Sequence, residues 1–318
     1  MRTDSERWQF ELLPLRFTFV AREQMRFPAG NSANLLRGAF GTIFRKVTCS
    51  AGCPGARQCQ SRATCPYARM FEPSALTNGP SGLADWPRPF VFRASHLDGK
   101  TVTPDSTFYF DMNLFDIRGA AVESLRSTFA QLAKEGLGPQ RARAEFTNVS
   151  RVEEGGQACQ WNGELAPLAV TLQREERLER ILVRFVTPTE LKSGQGIVRE
   201  PSFGVLAARI RDRVSTLREL YGNGPLEIDF RGFRERAERI AMTRCELTQV
   251  DVSRRSSRTG QVHSIGGFIG EAEYEGELGE FVPYLRAAKW TGVGRQTVWG
   301  KGEIHCSEPN SEHYSADK

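Results

Sequence analysis

Histidine and lysine are scarce in this chain, and long apolar runs are missing. Its 318 residues include four histidines, His96, His263, His305 and His313, and seven lysines against 36 arginines. So few histidines leave few side chains whose charge changes near neutral pH, which narrows the field for a general base. No run of eighteen apolar residues occurs, and the start Met1-Arg2-Thr3-Asp4-Ser5-Glu6 is too polar for a secretory signal. A soluble, cytoplasmic protein with no membrane partner is expected. Charge of one sign is not in large excess either: 43 basic and 38 acidic residues give a formal +5. What matters is therefore where the cations sit. The arginine excess suits bidentate phosphate and base contacts, or reflects a GC-rich genome.

The loops that bind mononucleotides and dinucleotides are absent too. Four glycines, Gly292, Gly294, Gly300 and Gly302, fall within eleven positions, interrupted by Arg295, Trp299 and Lys301. A nucleotide loop needs a helix directly after it to supply the dipole. Here Glu303 and Ile304 follow instead, so the loop is read as running into a final strand. Glycines without a Cβ admit a close partner, and the two cations point to an anionic one, a polymeric phosphate backbone. The alternative is a glycine-rich turn with a bulged strand.

Seven cysteines, an odd number with four crowded together, fit a metal site in a reducing compartment better than a disulfide framework. Cys49, Cys53, Cys59 and Cys65 lie in a segment without periodicity, residues 47–87. Four thiolates match the ligand set of a structural zinc, with an iron–sulfur cluster or free thiols as alternatives. A site closed by four thiolates has no open position, so no catalytic cofactor is expected.

In chain order, alternation marks a strand over 8–20, and a helix follows over 33–46 with Leu36, Phe40, Ile43 and Phe44 on one face. Strands are expected over 90–94 and 106–115, a helix over 120–134 stopped by Gly136, and a strand over 141–152. The second half repeats this order: a strand over 180–186, a helix over 203–221, strands over 240–253 and 265–274, a helix over 278–289 and a strand over 298–304. The fold class is therefore α+β, two tandem ferredoxin-like βαββαβ domains, with the Cys-rich insertion after the first helix and a C-terminal Gly-rich loop. The divisions are residues 1–155, a connection over 156–179, a second domain over 180–306, and a loose tail over 307–318.

Several spaced motifs agree in order: Phe185-Val186-Thr187-Pro188-Thr189-Glu190, Arg254-Arg255-Ser256-Ser257-Arg258, Gly266-Gly267-Phe268-Ile269-Gly270, and the glycine loop. In these the second half resembles the CRISPR-associated endoribonucleases of the RAMP superfamily that process precursor crRNA. Leu35-Leu36-Arg37-Gly38-Ala39-Phe40-Gly41 and Cys65-Pro66-Tyr67 resemble the first half of the same family. The resemblance implies metal-independent cleavage within the CRISPR repeat by the upstream 2′-hydroxyl, with crRNA and other CRISPR effector subunits as partners. Such chemistry needs a base, an acid and cations for the phosphorane. The histidine that relatives carry on or beside the first helix has no counterpart between Arg22 and Lys46. His263, within the basic hairpin, is the best candidate, with Arg37 and Lys46 as its cationic partners; without it, positioning and charge neutralisation would fall to Arg37, Arg45 and Lys46, or to Arg22 and Arg26. RNA-binding roles fall to Arg254, Arg255, Arg258, Gly292, Gly294, Arg295, Gly300, Lys301 and Gly302, and Tyr274 and Trp299 could stack on bases. The missing helix histidine leaves open a non-catalytic subunit that holds a finished crRNA.

Overall fold

The computed structural model describes residues 7–50, 52–76, 86–119, 122–138, 140–160, 166–175, 177–194, 196–255 and 262–308. The side chains of 254, 255 and 262–264 are not among the parts described. Arg258, Trp161 and His313 lie outside these residues.

The first half runs β1 (Gln9–Ala21), α1 (Ser32–Thr48), β2 (Phe90–Arg93), β3 (Thr107–Leu114), α2 (Val122–Glu135) and β4 (Ala144–Val152). Its antiparallel sheet has the order β2-β3-β1-β4, the ferredoxin-like order, extended beyond β4 by Ala158–Gln160. Alternation along β1 puts Leu15, Phe17 and Phe19 on the face covered by helices, where Phe17 stands opposite Phe110 and Val149. Phe40 of α1 stacks on Phe129 of α2 at 5.3 Å, and Phe17 lies 4.3 Å from Phe129. Each such ring contributes on the order of 2 kcal/mol by leaving water. Gly41 earns its place in α1: the Phe71 ring lies 3.1 Å from where its Cβ would be.

The second half repeats the plan with β5 (Arg180–Thr189), α3 (Phe203–Tyr221), α4 (Phe230–Ala237), β6 (Ala241–Val250), β7 (Gly267–Glu275), α5 (Val282–Thr291) and β8 (Ile304–Ser307). Its sheet order, β6-β7-β5-β8, is the same. Phe203, Leu206, Ile210 and Val214 of α3 cover Val183, Phe185 and Tyr274 of the sheet. Tyr274 is fully buried and its hydroxyl donates to the Pro201 carbonyl at 2.8 Å, so it packs in the core and is not presented to a base.

The connection is more than a spacer. Its strand Leu168–Thr171 pairs with the first residues of β1, Gln9 opposite Thr171, and Phe10 and Leu12 join the core of the second half. The last strand is shorter than its apolar residues suggest: Thr297–Trp299 forms a 3₁₀ turn and β8 begins only at Ile304. Left-handed backbone at Gln296, Gly300 and Gly302 prevents an extended run there.

Candidate nucleic-acid interface

The glycine loop is built on the end of β5. α5 stops at Gly292 with φ 68°; the Arg295 amide then donates to the Glu190 carbonyl, the Gly302 amide to the Pro188 carbonyl, and the Val293 amide to the Gly302 carbonyl. The partner that its glycines admit so closely is the first turn of α1. A Cβ on Gly300 would lie 2.2 Å from the Ala33 Cβ. Lys301 is only 3% exposed, and its ammonium donates to the Gly30 carbonyl at 2.9 Å. Burial pulls its pKa below the ordinary lysine value, partly offset by Asp98. Lys301 thus fastens one domain to the other, whereas Arg295, half exposed, pairs with Glu190.

Beneath the loop, three side chains satisfy carbonyls left over at the C-terminus of α5, where cations and donors are favoured. Arg93 Nη2 donates to Lys289 and Trp290 carbonyls at 3.1 and 3.3 Å, Asn113 Nδ2 to Trp290 at 2.9 Å, and Arg213 Nε to Thr291 at 2.9 Å. Burial pushes the Arg93 guanidinium down, and pulls Arg213 to about 9 with the help of its neighbour Arg93. Glu303 is buried beside them. Burial works to raise its carboxyl, but the hydrogen bond from His305, the charge of Arg93 and a bond from Ser95 outweigh it, and its pKa lies below the ordinary 4.5.

A pH dependence follows. A depressed carboxyl contributes stability that is complete above its unfolded pKa, near 4.5, and disappears as pH falls from there through the folded value. We expect Glu303→Gln to melt lower than the parent at pH 7, with the gap closing toward pH 3.5. A gap that stays constant in melts across this range would refute the assignment.

The basic hairpin grows from the same end of β5. The pairing of β7 with β5 starts at Phe268, opposite Thr189, and beyond it Ser253–Arg255 pairs with Val262–Ser264, placing Arg254 opposite His263. Thr189 and Glu190 therefore hold the hairpin base on one side and the glycine loop on the other. The α1 first turn is the third element of this junction.

The proposed catalytic set is not gathered in the same way. Arg37 and Lys46 are nine residues apart on α1, which is about 13 Å of rise and half a turn, so they point to opposite sides. Arg37 lies over the Phe71 ring at 5.4 Å, and Lys46 donates to Glu135 at 2.9 Å near the far end of the helix. Arg37 and Lys46 are therefore not brought together, and the His263 side chain is not among those described. Their spacing already carried this signal. His96 stacks on Tyr109 at 4.5 Å with Nε2 against the Tyr109 carbonyl. The buried Arg93, Asn113 and Glu303 went unnoticed in the sequence.

In the Cys-rich segment, Cys49 makes thiol contacts with Cys53 and Cys65. Burial and these neighbours push Cys49 up to about 12. The Gly55 amide, Cys49 and Arg45 lower Cys53. Cys59 is held in a separate turn, its amide on the Gly55 carbonyl. Among the described residues no three His, Cys, Asp or Glu side chains surround a point where a metal could sit. The four-thiolate arrangement expected from the spacing is thus not assembled. No helix among them is long and apolar enough to cross a membrane.

Two ferredoxin-like domains thus share a glycine-loop seam. Residues 183–304 match the family model described as CRISPR-associated endoribonuclease Cas6, and residues 10–172 match a model of an N-terminal domain, AF_1859_N. The second half of the chain belongs to the Cas6 family of CRISPR-associated endoribonucleases. Its fold is similar to that of a Cas6 product complex, with a TM-score of 0.55 and 17% identity over 94% of this chain and 100% of that one. Thermus thermophilus Cas6 gives 0.52 and 16% over 93% and 98%. A partial Cas6-RT-Cas1–Cas2 complex gives 0.57 and 12% over 96% of this chain but 47% of that chain. At these identities the likeness is one of fold. No curated protein matches the chain in sequence.

Proposed function

We propose that this protein cleaves precursor crRNA within the CRISPR repeat without a metal ion. The 2′-hydroxyl upstream of the scissile phosphate loses its proton and attacks phosphorus. The bond to the 5′-oxygen breaks and that oxygen takes up a proton, leaving a 2′,3′-cyclic phosphate and a 5′-hydroxyl. The observation that carries this reading is the junction of the glycine loop, the first turn of α1 and the base of the arginine hairpin at the end of β5.

In this reading Arg254, Arg255 and Arg258 clamp the repeat stem through phosphates, and Arg295 leaves Glu190 for RNA. Gly292, Gly294, Gly300 and Gly302 shape the loop and Lys301 keeps it seated, so these five act on RNA through position. His263 is the group that moves the proton. Arg37 is one helical turn from Ala33, on the side that meets the loop, and serves the phosphorane charge; Lys46 takes no part. The product complex and the Cas1–Cas2 assembly seen for other Cas6 proteins support repeat RNA and further CRISPR proteins as partners here. The enzyme then keeps its crRNA.

The test is incubation of purified protein with its labelled cognate repeat in excess EDTA, followed by mapping of both ends. One cut bearing a cyclic phosphate is expected. Tight binding with no cut would leave the crRNA-holding subunit instead. A structural metal on Cys49, Cys53, Cys59 and Cys65 would stand apart from this chemistry; all that favours it is the approach of Cys53 and Cys65 to Cys49. Metal analysis of protein purified anaerobically without chelator decides it: about one equivalent supports the site, and none removes it.

A further inference from the structure

A pocket of about 230 Å³ opens beside the first turns of α1, on the flank away from the glycine loop. Leu35, Leu137, Ala142 and Pro28 form apolar walls, and Arg26 and Gln140 stand at the rim. We propose that it receives one unpaired nucleobase of the repeat RNA, adjacent to the nucleotides being cleaved, and that Gln140 reads the edge of that base. The proposal rests on the reading of the chain as a repeat-RNA enzyme.

Three features of the pocket favour a base. Its lining is mostly apolar, which suits a π-face that stacks without regard to sequence. Its rim carries an amide, able to donate and accept at once, as base-edge recognition needs. Arg26 and the nearby Lys100 add positive charge for the phosphates on either side. Arg26, Lys100 and Gln140 are exposed, and no side chain of the three is engaged by a hydrogen bond or ion pair among the described residues.

The pocket is also built in advance. The turn that carries Gln140 is closed by two backbone bonds, Leu137 amide to Ala142 carbonyl at 2.9 Å and Ala142 amide to Leu137 carbonyl at 3.0 Å. Arg141 within it is held at φ 48°, a conformation that L residues seldom adopt and that functional loops often retain. On the opposite wall Arg26 is fixed by pairing with Thr101. Position supports the same occupant. Leu35 is two residues from Ala33, the glycine loop's contact, so the pocket and the loop flank one helix about 10 Å across. A strand of RNA crossing the α1 N-terminus from the loop reaches the pocket with a neighbouring nucleotide.

The experiment measures binding of parent and Gln140→Ala to the cognate repeat, to a scrambled hairpin, and to repeats carrying one abasic site at each unpaired position, all at one salt concentration. For the parent, one abasic position should weaken binding about tenfold or more. Gln140→Ala should bind the intact repeat about tenfold more weakly and be indifferent to that position. Undiminished binding by Gln140→Ala, or an unchanged abasic profile, overturns the pocket while the repeat reading stands. Equal losses on repeat and scrambled RNA make Gln140 a backbone contact and overturn it as well. A parent that binds repeat no better than the scrambled hairpin defeats both.

Discussion

Gly302→Ala is expected to cost about 3 kcal/mol or more and to lower the melting midpoint by roughly 6 °C or more. Gly302 adopts φ 69°, and an added Cβ would lie 1.9 Å from the Val293 carbonyl oxygen, a backbone atom that cannot rotate away. The Val293 amide in turn bonds the Gly302 carbonyl, and the Gly302 amide bonds Pro188, so relief of the clash must open the whole crossing. Lys301 and Gly300, which meet Gly30 and Ala33 at the start of α1, would leave with it. Gly38→Ala supplies the contrast. A Cβ there meets nothing within 4 Å and the position is inside α1, so that variant should gain a few tenths to about 1 kcal/mol. Calorimetry of both variants gives the comparison. Equal midpoints would mean that the loop does not cross as described.

The second large effect falls on binding. Replacing Arg254, Arg255 and Arg258 together by alanine should weaken repeat binding on the order of a hundredfold at low salt. The plot of log affinity against log salt should flatten by about 2, since each lost phosphate contact releases fewer counterions. Midpoints should hardly move, because the hairpin of Ser253–Arg255 and Val262–Ser264 extends beyond the main sheet. Unchanged affinity and slope in salt-controlled gel shifts would remove the hairpin from the RNA-binding surface.

Much of the fold could be read from the chain because its apolar periodicities are clean. The helix over 203–221 coincides with α3 at both ends, where Gly222 stops it, and both halves show the βαββαβ order in their sheets. The misreadings share a cause. Glycines announce that something comes close without saying what, and here it is protein, the Ala33 methyl. A cation reads as solvated until its neighbours are known, and Lys301 and Arg93 are buried against carbonyls contributed by the other domain. The cysteine spacings leave undetermined how the turns at Gly55 and Ser61 carry Cys59. Helix phase, by contrast, was available from counting: nine residues separate Arg37 from Lys46, and that number alone divides them.

The clasp at α1 also imposes an order on manufacture. α1, β2 and β3 leave the ribosome long before residues 292–302, yet the seat at α1's first turn is finished only when those residues arrive. The carbonyls that Arg93 and Asn113 bond, at Lys289 and Trp290, are themselves made only just before those residues. A nascent chain that already has a folded first domain therefore lacks the completed junction, which forms only when the final strand is added at the edge of its sheet.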